Sequence, residues 1–343
     1  GFAYKKGLRY HVKSTPAMTA AGVATLFVCF DNLWAEAFEG CNLGPEAEKV
    51  RRPIERGLDW MDRYFQGNPS LTNKYLLYGI ERVGLASGYK YFGKTDWYKA
   101  GARALLGRQG KDGSWSGYGE VVGTSFALLF LARGRHPVLF NKLAFAGDWN
   151  NRPRDLANLS RWINRVLERD TAWQIINLNV PVAEWHDAPL LYLSGAKPPA
   201  FTDEQVDKLR QFVHQGGTLF SCTECNGRGF DAGIREVYAR AFPAYEMRPA
   251  DADGGLYRAY RPVPARDVRF EVVSNGIRPL AIHTEADLPR AWQTRPFGGG
   301  SGDDPAFAAA LNVALHVTNG QQLRHRGVAI WPEAPSALPR DTV

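Results

Sequence analysis

The chain has 343 residues, 45% hydrophobic and 22% charged, which is the composition of an ordinary globular protein with enough length for two cores. Its formal charge of +7 comes from basic residues that alternate with acids, the densest cluster being Arg324-His325-Arg326, so no nucleic-acid partner is expected. Four cysteines, Cys29, Cys41, Cys222 and Cys225, are too few for a disulfide framework in a chain of this size, and compartment stays open.

The opening Gly1-Phe2-Ala3-Tyr4 reads as the tail of a repeat unit, so an N-terminal part is expected to precede it. The longest apolar stretch, 20–30, is short and Ala-rich, and no charged segment with an apolar core opens the chain; neither a membrane span nor a signal peptide is expected. Up to about residue 135 the pattern is helical in two flavours. Segments 19–33, 74–87 and 124–133 are small and apolar, as in helices packed on all sides, whereas 46–65 and 96–109 carry charge on one face. Inner and outer helices recurring about every fifty residues are the spacing of stacked helix pairs. Between two of them lies Gln109-Gly-Lys-Asp-Gly-Ser-Trp115, where the Gln can bond the turn beyond its helix, Gly113 makes the turn, and Trp115 packs into the seam. On the inner helix at 74–87, Tyr75, Tyr78 and Glu81 share a face and read either as a pocket lining for an apolar or cationic ligand or as core.

Gln109, Gly113 and Trp115, preceded by Lys99-Ala100 and Leu105, resemble the QW repeat of squalene and hopene cyclases and related prenyltransferase-like α/α toroids. The resemblance covers about residues 1–135, with a degenerate second copy at Arg56-Gly57-Leu58-Asp59-Trp60-Met61, and it implies a partial α/α toroid over 1–137. The Asp-rich acid motif of the cyclases has no match, so terpene cyclisation is not implied.

After Pro137 the grammar changes to short strands alternating with helices, which places a domain boundary between Arg133 and Lys142. A strand at 142–145 is followed by a helix at 154–169 with Leu156, Leu159, Ile163, Val166 and Leu167 on one face, then strands at 173–178 and 189–194. The next unit is the clearest: Thr202-Asp-Glu-Gln205 is a capping box, Val206, Leu209, Phe212 and Val213 are a buried stripe, Gly216-Gly217 stops the helix, and 218–221 is a strand. Helices follow at 232–242 and 305–317. This βαβ order predicts a doubly wound parallel sheet, a flavodoxin-like α/β domain over 138–343. Residues 203–218, with Trp149-Asn-Asn-Arg-Pro-Arg-Asp-Leu-Ala-Asn-Leu159, resemble a bacterial domain that follows cyclase-like repeats and is similar to class I glutamine amidotransferase-like and ThuA-like folds. That resemblance implies fold and supplies no catalytic residue.

Ligands of open parallel sheets bind beyond the carboxyl ends of the strands. Asn151 and Arg152 after the first strand, Ser194 after a central one, and Cys222 with Glu224 and Cys225 after the next are therefore the candidate site, suited to an anionic or polyhydroxyl ligand. Alternatively, residues 150–155 only cap the following helix and tie the loop. Cys222 is the candidate nucleophile, yet Thr223 and Glu224 stand where an elbow needs small residues, and Glu224 disfavours the thiolate; a buried structural thiol is the other reading. Cys222-Thr-Glu-Cys225 is a lone pair without histidines at ligand spacing, so neither metal nor cofactor is expected. The chain thus reads first as a non-catalytic protein that binds a small molecule or a protein partner, and second as a hydrolase or amidotransferase-like enzyme using Cys222.

Overall fold

The computed structural model describes residues 14–38, 41, 44–67, 69–117, 119–134, 136–296 and 304–320; the segments 1–4 and 324–326 singled out above lie outside them. Thr15 accepts the Met18 N–H and Pro16 fills the first turn, starting α1 (Pro16–Leu33). This helix outruns the apolar stretch at both ends. Among the described residues it is the one helix long and apolar enough to cross a membrane, but here it packs on its neighbours through Ala20, Val23, Phe27 and Phe30. In α2 (Pro45–Gln66) the buried Ile54, Gly57, Met61 and Phe65 recur at three- and four-residue steps. Then follow α3 (Lys74–Ser87), a two-stranded hairpin of β1 (Tyr91–Phe92) and β2 (Thr95–Asp96), α4 (Trp97–Leu106) and α5 (Glu120–Arg133). The apolar α3 lies between α1 and α5, with α2 against α1 and α4 against α3 and α5.

The turn from α4 to α5 is clasped from within. Gln109 Nε2 donates to the Gly113 carbonyl at 3.0 Å, Gly113 takes φ 83°, and the buried Trp115 indole donates to the Leu105 carbonyl at 2.9 Å. Its own amide donates to Thr124 Oγ1 at 3.0 Å, fixing the start of α5.

The sheet begins with β3 (Val138–Ala144), α6 (Asp155–Leu167), β4 (Ala172–Asn177) and β5 (Leu190–Gly195). It continues through α7 (Asp203–His214), β6 (Thr218–Thr223), α8 (Arg228–Ala241), β7 (Met247–Pro249), α9 (Gly255–Arg258), β8 (Glu271–Ser274), β9 (Pro279–Thr284), α10 (Leu288–Thr294) and α11 (Pro305–Thr318). Strand order is β4-β3-β5-β6-β9-β8-β7, with the pairings among the first five strands parallel and the last two pairings antiparallel, so that β8 alone of the seven runs against the rest. The wholly parallel sheet expected from the sequence is thus corrected at one edge. The physical reason is the connection: Asn275 folds the four residues after β8 into a tight turn by accepting the Ile277 and Arg278 amides, whereas a parallel return needs a dozen or more residues. The Thr202–Gln205 capping box forms with both of its bonds.

Alternation along each strand feeds two cores. Phe140, Tyr192, Phe220 and Ile282 meet α6, α10 and α11 through Leu159, Trp292 and Phe307, while Leu191, Leu193, Leu219 and Ala281 meet α7 and α8 through Leu209, Phe212 and Ile234.

The helices are tied to the sheet edge by backbone and charge. The Lys90 amide donates to the Ile175 carbonyl at 3.1 Å and the Ile175 amide to Gly88 at 2.6 Å, so the segment after α3 covers the free edge of β4. Gly88 permits this: its φ is 78°, and a Cβ there would stand 2.4 Å from the Trp173 ring. Buried Lys90 pairs with Glu184 at 2.7 Å and Asp187 at 2.8 Å, and Arg154 chelates Asp31 of α1 at 2.6 and 2.9 Å. A disulfide joins Cys41 to Cys225.

Candidate functional site

The chain leaves β3 for β4 on one side and reaches β5 on the other, so the strand order reverses at β3 and a ligand crevice would be expected between the β3 and β5 ends. The protein's own loops fill that place. Asp148 Oδ2 accepts the Ala196 amide at 3.2 Å, a Cβ on Gly195 would lie 2.4 Å from the Asp148 carbonyl, and one on Gly227 would lie 2.3 Å from the Ala196 carbonyl.

Beneath these loops, on the α6 face, is a buried polar cluster. Lys142 of β3 reaches both Asp155 oxygens and the Arg152 carbonyl, all at 2.9 Å. Asn151 Nδ2 donates to Glu224 Oε2 at 2.9 Å. Glu224 is held at the end of β6 by its amide bond to the Gly195 carbonyl at 2.8 Å and by a turn in which Cys225 and Asn226 both take left-handed φ, 60° and 52°. Burial pushes the Glu224 carboxyl up to about 7, against the pull of Lys142. Arg152 Nη2 pairs with Asp287 Oδ2 at 3.1 Å, and the same oxygen accepts the Cys225 amide at 2.9 Å.

The four residues singled out from sequence therefore lie at one end of the sheet, in different roles from those expected. Ser194 and Cys222 are register partners on β5 and β6, both buried. Arg152 is 1% exposed and turned inward onto Asp287, so its guanidinium does not face an anion from solvent. Asn151 lines open space. The alternative for 150–155 holds in part: Arg154 at the N-cap of α6 makes no side-chain cap bond, but Asp155 accepts the Leu156 amide at 2.6 Å as well as Lys142, and Asn151, Arg152 and the Arg152 carbonyl tie the loop to Glu224, Asp287 and Lys142.

Cys222 is 0% exposed, and burial first, then the Glu224 charge, raise its thiol well above the ordinary range. His283 lies one residue out of register and so on the opposite face. There Ser221 Oγ meets His283 Nδ1 at 2.8 Å and His283 Nε2 meets Asp231 at 2.9 Å, a serine–histidine–aspartate chain that sequence reading missed. Tyr238 of α8 donates to the same Ser221 oxygen at 2.9 Å, and Ser221 and His283 are both 0% exposed. The chain therefore locks α8 onto the sheet and offers no oxygen to a substrate. Cys225 does not pair with Cys222; it is bonded to Cys41, 184 positions away, a partner no local spacing could reveal. Asp287 lies within 4.8 Å of both sulfurs, but the bonded sulfurs are no longer thiolates, and Arg152 occupies the carboxylate.

The open space lies beside this cluster, between α1, α2 and the β3 and β4 ends. It is a cleft of about 440 Å³ floored by Phe27, Phe30, Ile54 and Ile175, with Asn150 and Asn151 on one wall and Glu48, Arg51 and Glu55 on the other. Past Tyr89 and Glu55, which line both, there is a recess of about 230 Å³.

The class so defined is an α/β protein with a mostly parallel seven-stranded sheet, helices on both faces and a helical layer clasped to one edge. Residues 139–313 match a family described as a domain of unknown function, DUF4159, and the chain belongs to that family. No curated protein matches it.

Proposed function

We propose that this chain is a binding protein and not an enzyme, in which a partial cyclase-like α/α toroid at 1–137 is joined to an amidotransferase-like, ThuA-like α/β domain at 138–343. Three apolar helices in one layer and the clasped turn at Gln109–Trp115 support the first part. Support for the second is the order of the five parallel strands, the 2-1-3-4-5 order of flavodoxin-type sheets when numbered from β3. The observation that carries the binding reading is the 440 Å³ cleft at the strand ends, where Asn151 links an open, half-apolar wall to the buried Glu224. No thiolate, exposed serine or accessible histidine reaches it among the described residues, so the cleft has recognition groups without a nucleophile.

Two measurements test this. Native mass spectrometry of the protein purified from its own source should show a bound small molecule that is lost when Ile54→Trp fills the cleft and retained in Cys222→Ser. A panel of p-nitrophenyl esters, anilides and glutamine should give no turnover; turnover abolished by Cys222→Ser would replace the binding reading with the hydrolase or amidotransferase one.

A further inference from the structure

A second cavity, of about 460 Å³, opens between α1, α3 and α6. Most of its lining is hydrocarbon, including Ala17, Ala21, Ala24 and Phe27 of α1, Leu85 of α3 and Trp173 of β4. Tyr75 and Tyr78 of α3 also line it; with Glu81, which does not, they suggested an apolar or cationic ligand from sequence. Both rings already pack against Phe126, with centroids 5.6 and 5.4 Å away, and the Arg82 guanidinium lies 5.9 Å above Tyr78, so a cation would meet a cation.

The charges around the cavity do not balance. Three arginines, Arg82, Arg154 and Arg161, line it against one carboxylate, Asp31. Burial opposes ionisation of Asp31, but Arg154 and Arg161 overcome it and hold the carboxyl below its ordinary range. Arg154 takes both Asp31 oxygens and Arg161 Nη2 shares one of them at 3.0 Å. Arg82 is exposed and has no carboxylate partner among the described residues. The apolar hollow therefore carries an excess of two positive charges, with the guanidiniums of Arg82 and Arg161 on its solvent side.

We propose that this cavity is a ligand site for single-chain amphiphiles with an anionic head, of which a fatty acid is the simplest. The chain lies along the alanines and Trp173, and the carboxylate meets Arg82 and Arg161. The volume falls within the roughly 300–1,000 Å³ of small-molecule sites. This site adjoins the first cleft, with Phe27 and Arg154 lining both, but Ala24, Arg82 and Arg161 do not line that one.

Isothermal titration calorimetry below the micelle concentration tests the assignment with dodecanoate, decanoate, dodecanol and dodecyltrimethylammonium. Dodecanoate should bind, decanoate roughly tenfold more weakly for its two missing methylenes, and the trimethylammonium not at all. Arg82→Ala and Arg161→Ala change exposed side chains and should each weaken dodecanoate about fivefold while leaving dodecanol unchanged. Ala24→Trp should remove binding of every chain. Equal affinity for the carboxylate and the ammonium, or full dodecanoate affinity in either arginine variant, would overturn the proposal whether or not the tryptophan variant folds.

Discussion

Glu224 is a carboxyl whose protonated form the fold prefers, because burial costs the charged form more than Lys142 and Asn151 return. The sign follows directly. A pKa raised from 4.5 to about 7 means that the native state binds the proton more tightly than the unfolded chain. The stability Glu224 lends is complete at low pH and is lost as pH rises from the unfolded value through the folded one. Glu224→Gln keeps an acceptor for Asn151 and removes the charge. It should therefore match the parent protein at pH 4 and exceed it by about 2 kcal/mol at pH 8 in denaturant unfolding, allowing for partial relaxation of the buried charge. A variant less stable than the parent at pH 8 would mean that the ionised carboxylate is the stabilising form. Lys142, in the apolar run Leu139 to Phe145, was a legible sign of such a buried cluster, since a charge there must be paired. Its partner Asp155 and the neighbour Glu224 were not, because they come from separate segments that only the sheet brings together.

At the scale of elements, local chemistry was legible wherever a bond closes within a few residues. The Thr202–Gln205 box, the helix at 74–87 and the clasp from Gln109 to Trp115 all rest on contacts within about ten positions of the chain. Trp115 does two things there: its ring fills the seam between α4 and α5, and its indole satisfies the Leu105 carbonyl. Trp115→Ala should cost about 3–5 kcal/mol in thermal or denaturant unfolding, the range for deleting a buried aromatic. A loss under about 1 kcal/mol would show that the turn holds without it. The antiparallel edge was opaque for the opposite reason. The short β7 and β8 run carries weak alternation, and its direction is set by the tight turn at Asn275, which reads as one more loop until the strands on either side are known.

Across the whole molecule the ties between the helical layer and the sheet include backbone pairing at Gly88–Lys90, the Lys90 ion pairs, the Arg154–Asp31 chelate and the Cys41–Cys225 disulfide. The first three have polar partners satisfied at the junction and persist in any redox environment. The disulfide alone depends on the compartment, and it anchors the turn that carries Glu224 while Cys41 lines the 440 Å³ cleft. With Cys41 and Cys225 bonded, the unfolded but unreduced chain should present two titratable thiols, Cys29 and Cys222, and four after reduction. Because the bond spans 184 positions, breaking it frees a long loop in the unfolded chain, and Cys41→Ser should lower stability by about 2–4 kcal/mol. Reductant should lower the melting temperature of the parent protein to that of the variant and leave the variant unchanged. Four thiols before reduction, or a variant that melts with the oxidised parent, would show that Cys41 and Cys225 lie together unbonded and that the noncovalent ties hold the cleft in shape.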